Sequence, residues 1–263
     1  MDLGLRGARV LVTAASQGLG AATARRFSLE GAQVVISSRE LERLQTTAAA
    51  ISEETGNPVF TFAADLREDA AVERLMRNAA ETLGGLDVLV TNAGGPPSGQ
   101  FETFDMATWR AAADLTLHSA VNLMRAALPH LRQSRRAAVL AVVSMAAKEP
   151  VDNLTLSNVL RPALVGLTNT LSQELGPQGI RFNSILPGIT DTERVQHLMQ
   201  ARAQANGTTP EQETEKAVAG IPLRRFGTPE EFASAAVFLC SPAAGFITGA
   251  ALPVDGGQIR ATL

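Results

Sequence analysis

The stretch Ala8-Arg9-Val10-Leu11-Val12-Thr13-Ala14-Ala15-Ser16-Gln17-Gly18-Leu19-Gly20 decides the fold. A strand-sized apolar run passes into a glycine-bearing turn and then into a helical pattern. Backbone N–H groups at such a helix start, with the helix dipole behind them, suit a pyrophosphate. Taken alone, residues 13–20 also read as a strand-to-helix turn that uses glycine only for packing.

Outward from this unit, short β-branched runs at 34–36, 59–62, 88–90, 139–143, 180–185 and 250–254 alternate with longer helical patterns. Near-continuous apolar strands predict a parallel sheet covered on both faces, because a one-sided sheet alternates apolar with polar residues. The expected fold class is α/β: a Rossmann-type, doubly wound sheet of seven mostly parallel strands, with helices on both faces, in a single domain spanning 1–263. Thr209-Pro210-Glu211-Gln212 and Thr228-Pro229-Glu230-Glu231 each predict a helix start, with a capping Thr, Pro at the first helical position and Gln or Glu at the third. Residues 190–224 form a polar, helix-prone insertion broken at Asn206-Gly207, placed to act as a substrate lid.

The 263 residues are 45% hydrophobic and 19% charged, enough apolar surface for a sizeable core, and no linker divides them. A net charge of −3 with both signs interspersed offers neither a basic stripe for nucleic acid nor a polybasic membrane anchor, so neither partner is expected. No stretch approaches the roughly 20 apolar residues of a membrane span. The single Cys240 excludes an intrachain disulfide and reads as the buried end of a helix, which points to a reducing, cytoplasmic setting. Nothing in the cysteines and histidines suggests a metal site, and no serine sits in a nucleophile elbow.

Ser144-Met145-Ala146-Ala147, followed by Ser157-Asn158-Val159-Leu160-Arg161-Pro162-Ala163-Leu164-Val165-Gly166-Leu167-Thr168, resembles the core of the short-chain dehydrogenase/reductase family. The family signature is a Ser followed thirteen residues later by Tyr-x-x-x-Lys. The Ser spacing and the Gly-Leu-Thr fit. Position 157, however, is Ser, position 161 is Arg, and the chain contains no tyrosine. Residues 13–20 are similar to the family's Thr-Gly-x-x-x-Gly-x-Gly, with Ala14 in place of the first glycine. Thr91-Asn92-Ala93-Gly94 resembles its Asn-Asn-Ala-Gly segment, and Pro187-Gly188-Ile189-Thr190-Asp191-Thr192 its nicotinamide-gripping loop. Arg225-Phe226-Gly227-Thr228-Pro229-Glu230-Glu231 and the segments around Ile247-Thr248-Gly249 and Val254-Asp255-Gly256-Gly257 resemble its C-terminal signature. Only the 190–224 insertion is poorly matched.

The resemblance implies a nicotinamide dinucleotide held by Ala14, Ser16, Gln17, Gly18, Leu19 and Gly20 in the turn. It also implies contacts from Ser38 and Arg39, from Asp65 and Leu66, and from Asn92, Ala93 and Gly94. Arg161, Pro187, Gly188, Ile189 and Thr192 would meet the nicotinamide half. Read singly, Asp65 is equally a helix cap and Asn92 a turn residue. A carboxylate after the second strand would repel a 2′-phosphate, whereas Ser37-Ser38-Arg39 offers hydroxyls and a guanidinium, so NADP is favoured over NAD. The plainer reading is that Arg39 only opens the next helix on a solvated face. By resemblance, the substrate is a small molecule with a carbonyl/alcohol pair, of the 3-oxoacyl-thioester kind among the candidates. A homotetramer or dimer, packed through the helix that carries position 157, is also implied.

The resemblance assigns proton donation to the Tyr, and to the Lys both ribose binding and lowering of the Tyr pKa. A Ser hydroxyl is shorter and far less acidic than a phenol, and Arg161, with a pKa above about 12, keeps the charge without relaying a proton. The family's Asn, seven residues after a helix Trp, falls here on Thr116, counting from Trp109. Ser144 alone is unchanged. Lys148 and His118 are the nearest other donors, each read more simply as a solvated lysine and a packed histidine, while His130 and His197 have no evident partner. Pro162 removes the helical bond to the Asn158 carbonyl, so this helix is expected to begin near Arg161 or to bend there. Two functions fit: an oxidoreductase with non-standard proton transfer, or a catalytically silent dinucleotide-binding homologue serving as a sensor or partner subunit.

Overall fold

A computed structural model describes residues 2–261. The strands β1 (Arg9–Thr13), β2 (Gln33–Ser38), β3 (Val59–Ala63), β4 (Val88–Thr91), β5 (Ala138–Val142), β6 (Arg181–Pro187) and β7 (Ala251–Val254) form one sheet. Their order is β3-β2-β1-β4-β5-β6-β7, and every neighbouring pair is parallel. The chain reverses its direction of travel across the sheet between β1 and β4, which opens a crevice at the C-terminal ends of the strands, the usual place for a ligand in this architecture.

The helices are α1 (Gly18–Leu29), α2 (Leu41–Thr55), α3 (Asp69–Leu83), α4 (Met106–Ala113), α5 (Ser119–Leu131), α6 (Thr155–Leu175), α7 (Glu193–Asn206), α8 (Pro210–Ala219) and α9 (Pro229–Cys240). Successive residues of a strand point to opposite faces. Val10, Val12, Val34 and Ile36 accordingly pack with Phe27 of α1, Leu44 of α2 and Phe232 of α9. Leu11, Val35, Leu89 and Phe182 pack on the other side with Leu75 of α3, Leu123 of α5 and Leu164 of α6. Each such side chain contributes about 1.5–3 kcal/mol when fully buried, and both layers need it, so β1, β4 and β5 are almost wholly apolar.

The expected helix starts are present as capping boxes. Thr209 and Gln212 exchange side-chain and backbone bonds at 3.1 and 3.3 Å, and Thr228 and Glu231 do so at 2.9 and 3.2 Å. Gly207, at φ 64°, ends α7 in the left-handed conformation that glycine adopts without steric cost. Cys240 closes α9, and burial pushes its thiol up to about 12, which leaves it inert. Among the described residues no helix is long and apolar enough to cross a membrane, and no group of three His, Cys, Asp or Glu could hold a metal.

One expectation is corrected. α6 does not start near Arg161; it starts at Thr155 and carries Pro162 inside an unbroken run to Leu175. An interior proline costs on the order of 3 kcal/mol, but Leu156, Leu160 and Leu164 are all buried on the packed side and hold the helix across it. The Asn158 side chain further anchors the first turns, accepting from Val151 N at 3.0 Å and donating to its carbonyl at 2.9 Å. Ser157 and Arg161 therefore lie one turn apart on a single helix.

Candidate active site

The first wall of the crevice is the turn after β1. Ala14 stands at φ 46° and Gly18 at φ 56°, and Ala15 N donates to the Ser37 carbonyl at 3.0 Å, tying the turn to β2. Ser16 is fixed from α2, whose Thr47 hydroxyl donates to its carbonyl at 2.7 Å. Gln17 is the N-cap of α1 and places no side chain over the helix end, so the first N–H groups face the crevice. Leu19 packs into the α1 layer. A Cβ on Gly20 would lie 2.4 Å from the Ala14 carbonyl oxygen and 2.9 Å from Ala15 Cα, so only glycine fits there. The result is a shallow backbone cradle at a positive helix end, which suits a diphosphate.

Asn92, after β4, braces this cradle. Its Nδ2 donates to the Ala14 carbonyl at 3.3 Å, its N–H to Thr13 Oγ1 at 2.9 Å, and the Thr13 hydroxyl to its carbonyl at 2.7 Å. Ala93 and Gly94 continue the floor, with Leu115 3.9 Å from where a Gly94 side chain would begin. At the far end Ser38 closes β2, its hydroxyl donating to the Glu40 carbonyl at 3.3 Å, and Arg39 is exposed. Asp65 accepts from Arg67 Nε and backbone N, both at 3.0 Å. Those bonds, with the charge of Arg39 as a lesser cause, hold its carboxyl at about 2. Glu68, not Asp65, occupies the N-cap of α3, which removes the helix-cap reading of Asp65. Leu66 is buried beneath this corner.

The second wall comes from β6. Pro187 ends the strand, and Gly188 N donates to the Val254 carbonyl at 3.0 Å; a Cβ on Gly188 would lie 2.6 Å from Asp255 Cα. Ile189 accepts from Gly227 N at 3.1 Å and Asp191 N donates to the Gly227 carbonyl at 2.8 Å, so the loop is laced to the segment before α9. Thr192 caps α7, and its methyl lies 3.7 Å from the Cβ position of Gly18. Glu193 pairs with Arg43 of α2, and the Arg194 guanidinium lies against Gly95. Three successive residues thus reach three different parts of the opposite wall.

Between the two walls lies the segment after β5 together with α6. Ser144, two residues beyond β5, accepts from Ala146 N at 3.1 Å. Ser157 and Arg161 are only 9% and 7% exposed. Arg161 Nη1 donates to the Val142 carbonyl at 3.3 Å, while its Nε is sealed from solvent without a partner. The expected pKa above about 12 is corrected: burial, and secondarily the Arg194 charge, pulls it down to about 10, which still leaves a cation at neutral pH. Thr116 occupies a single π turn over Asp114–His118, 1% exposed, with its hydroxyl also unpartnered. π turns of this kind often mark functional sites.

The short turn after Ser144 and the π turn that holds Thr116 both pack against α6, the helix that carries Ser157 and Arg161. Lys148 closes the short 3₁₀ turn after Ser144, with no charge partner among the described residues. His118 is drawn elsewhere: its Nδ1 lies 2.8 Å from Asp114 Oδ1 on an exposed helix face, which removes it as a donor to the crevice. Arg194 escaped the sequence reading because only folding brings it to Gly95.

A family model described as enoyl-(acyl carrier protein) reductase matches residues 13–258. Dehydrogenase/reductase SDR family member 4 of Oryctolagus cuniculus is 35% identical over 252 residues, covering 94% of this chain and 92% of that protein. Among solved structures, L-sorbose reductase from Gluconobacter frateurii, complexed with NADPH and L-sorbose, is 30% identical and superposes with a TM-score of 0.95, covering 99% of this chain and all (100%) of that one. The NADPH-bound short chain oxidoreductase from Pseudomonas aeruginosa PAO1, described as containing an atypical catalytic center, is 29% identical with a TM-score of 0.90, covering 98% and 99%.

Proposed function

Because the chain belongs to the short-chain dehydrogenase/reductase family, we propose that it is an NADP(H)-dependent oxidoreductase interconverting a small carbonyl compound and its alcohol, with proton transfer that does not pass through a tyrosine. The observation that carries this reading is the Gly20 cradle: backbone atoms exclude even a methyl group there, while the uncapped end of α1 and Thr192 border the same space. Such a site fits a dinucleotide. When bound, that cofactor supplies the hydride.

The residues then divide the work. The α1 N-terminus and Gly18 take the diphosphate, Arg39 and Ser38 the 2′-phosphate, and Thr192 the carboxamide. Asp65, Leu66, Asn92, Ala93 and Gly94 line the adenosine side. Arg161 offers a fixed cation to the nicotinamide ribose and stabilises negative charge that develops on a substrate oxygen without donating a proton. Ser144 orients that oxygen through its hydroxyl. The proton itself comes from solvent admitted beside Ser157, a residue too short to fill the place of a phenol. Helices α7 and α8 act as the lid over the substrate. The sorbose-bound relative supports a polar small-molecule substrate for this cleft, and 3-oxoacyl thioesters remain in the same chemical class.

Titration with NADPH and NADH, followed by assay against ketones, aldehydes and 3-oxoacyl thioesters, tests the reading. Saturable NADPH binding with slow carbonyl reduction is expected. Tight binding without turnover on any substrate class would favour a silent dinucleotide-binding homologue, a reading supported by Ser157 and Arg161 standing where the family has Tyr and Lys. Absence of binding would remove both.

A further inference from the structure

Two arginines reach the reaction end of the crevice, and among the described residues no carboxylate pairs with either. Arg161 is buried, and among the described residues its Nε has no partner and its one hydrogen bond is to the neutral carbonyl of Val142. Arg194 follows the N-cap Thr192 by two positions, so it stands in the first turn of the 14-residue α7. The dipole there favours anions and disfavours a cation. Its guanidinium nevertheless lies on Gly95, where a Cβ would fall 2.6 Å from Nη2 and 2.7 Å from Nη1. The neighbouring Glu193 does not neutralise it, being paired with Arg43 on α2. Thr91 of β4 pairs with Ala141 of β5, so Gly95, four residues beyond Thr91, and Val142, next to Ala141, put the two arginines at the ends of neighbouring strands. None of the ion pairs among the described residues involves either of them.

We propose that Arg161 and Arg194 jointly receive an oxyanion carried by the substrate, so that the preferred substrate is an acid with its carboxylate beside the reacting carbonyl. A buried, uncompensated cation is unfavourable, and an oxyanion that bridges two guanidinium forks offsets that cost with charge-assisted, directional hydrogen bonds. The same chemistry is present in the diphosphate of the cofactor. Position favours the substrate: Arg161 is anchored at the end of β5, two residues before Ser144, and Gly95 follows β4, whereas the diphosphate cradle follows β1. The inference rests on the dinucleotide reading of the cleft and adds to it the class of substrate.

The full chain, wild type and Arg194→Met, is titrated calorimetrically with benzoylformate and with its methyl ester, each with saturating NADP⁺, and with NADP⁺ alone. Arg194 is exposed, so this variant is expected to fold. The acid should bind the NADP⁺ complex about tenfold or more tighter than the ester, and Arg194→Met should remove that advantage while changing NADP⁺ affinity by less than about threefold. Equal binding of acid and ester, or no binding of the acid, overturns the inference. So does a variant that loses about tenfold in NADP⁺ affinity with no change in acid preference, which would assign Arg194 to the diphosphate. In those cases the cofactor reading stands. Failure of NADP⁺ to bind the wild type removes the cofactor reading and this inference with it.

Discussion

Arg161 donates through Nη1 to the backbone carbonyl of Val142, 3.3 Å away. That bond seats a cation under the end of β5, on the side of α6 that also carries Ser157, in a place that gives its Nε no partner. A group in that condition is a cost to the folded chain and a resource for a ligand. Arg161→Met should therefore stabilise the ligand-free protein by about 1 kcal/mol or more while weakening NADPH binding about tenfold. Urea unfolding with and without NADPH measures both. Lower stability of the ligand-free variant would mean that the charge is satisfied in a way the structure does not show.

Arg39 is the residue proposed to set cofactor preference. It is exposed after β2, at the corner shared with Asp65 and Arg67. Arg39→Glu should weaken NADPH by about tenfold or more and leave NADH within about threefold, since only NADPH carries the 2′-phosphate. Parallel fluorescence titrations test this, and an equal loss for both cofactors would contradict it.

The turn after β1 makes a paired prediction. Gly20→Ala meets the backbone of residues 14 and 15 and should cost about 1–3 kcal/mol together with cofactor binding. Ala14→Gly, at φ 46°, relieves a left-handed alanine and should leave stability unchanged or raise it by up to about 1 kcal/mol. Thermal unfolding of the two variants reads both.

Much of this was legible in the sequence for local reasons. Strand runs, the capping threonines at 209 and 228 and the glycine turn are each set by neighbours a few residues away, and the structure places all of them as expected. What escaped was nonlocal. The Pro162 rule is a local one, and it lost to the packing of Leu156, Leu160 and Leu164 along α6. His118 reads as a donor candidate until folding pairs it with Asp114 on an exposed face. Arg194 comes to Gly95 across almost 100 residues of chain, and no spacing rule reaches that far.

The opposite end of the sheet supplies a pH prediction. Asp87 is 3% exposed and accepts from Arg9 N at 2.9 Å, Nε at 3.0 Å and Nη2 at 2.7 Å, and from the Ser134 hydroxyl at 2.6 Å. Burial raises its pKa, but the bonds from Arg9 and Ser134 outweigh that and leave it below the ordinary value of 3.8. A depressed carboxylate stabilises the fold above its unfolded pKa of about 3.9, and that contribution is lost as pH falls through the lower folded value. Asp87→Ala should cost about 3 kcal/mol at pH 7 and flatten the acid limb of the stability curve below about pH 4. Chemical denaturation across pH 3–7 checks the slope, and an unchanged acid limb would show that Asp87 does not set it.

In the proposed function the cofactor cleft is whole and the altered element is the proton donor at position 157. The most direct measurement compares kcat for carbonyl reduction by NADPH in the wild type and in Ser157→Tyr with Arg161→Lys, on the same ketones, with NADPH affinity measured beside it. Similar affinities are expected, with a rate about a hundred- to ten-thousand-fold higher in the double variant. Equal rates in the two proteins, with NADPH bound to both, would contradict it.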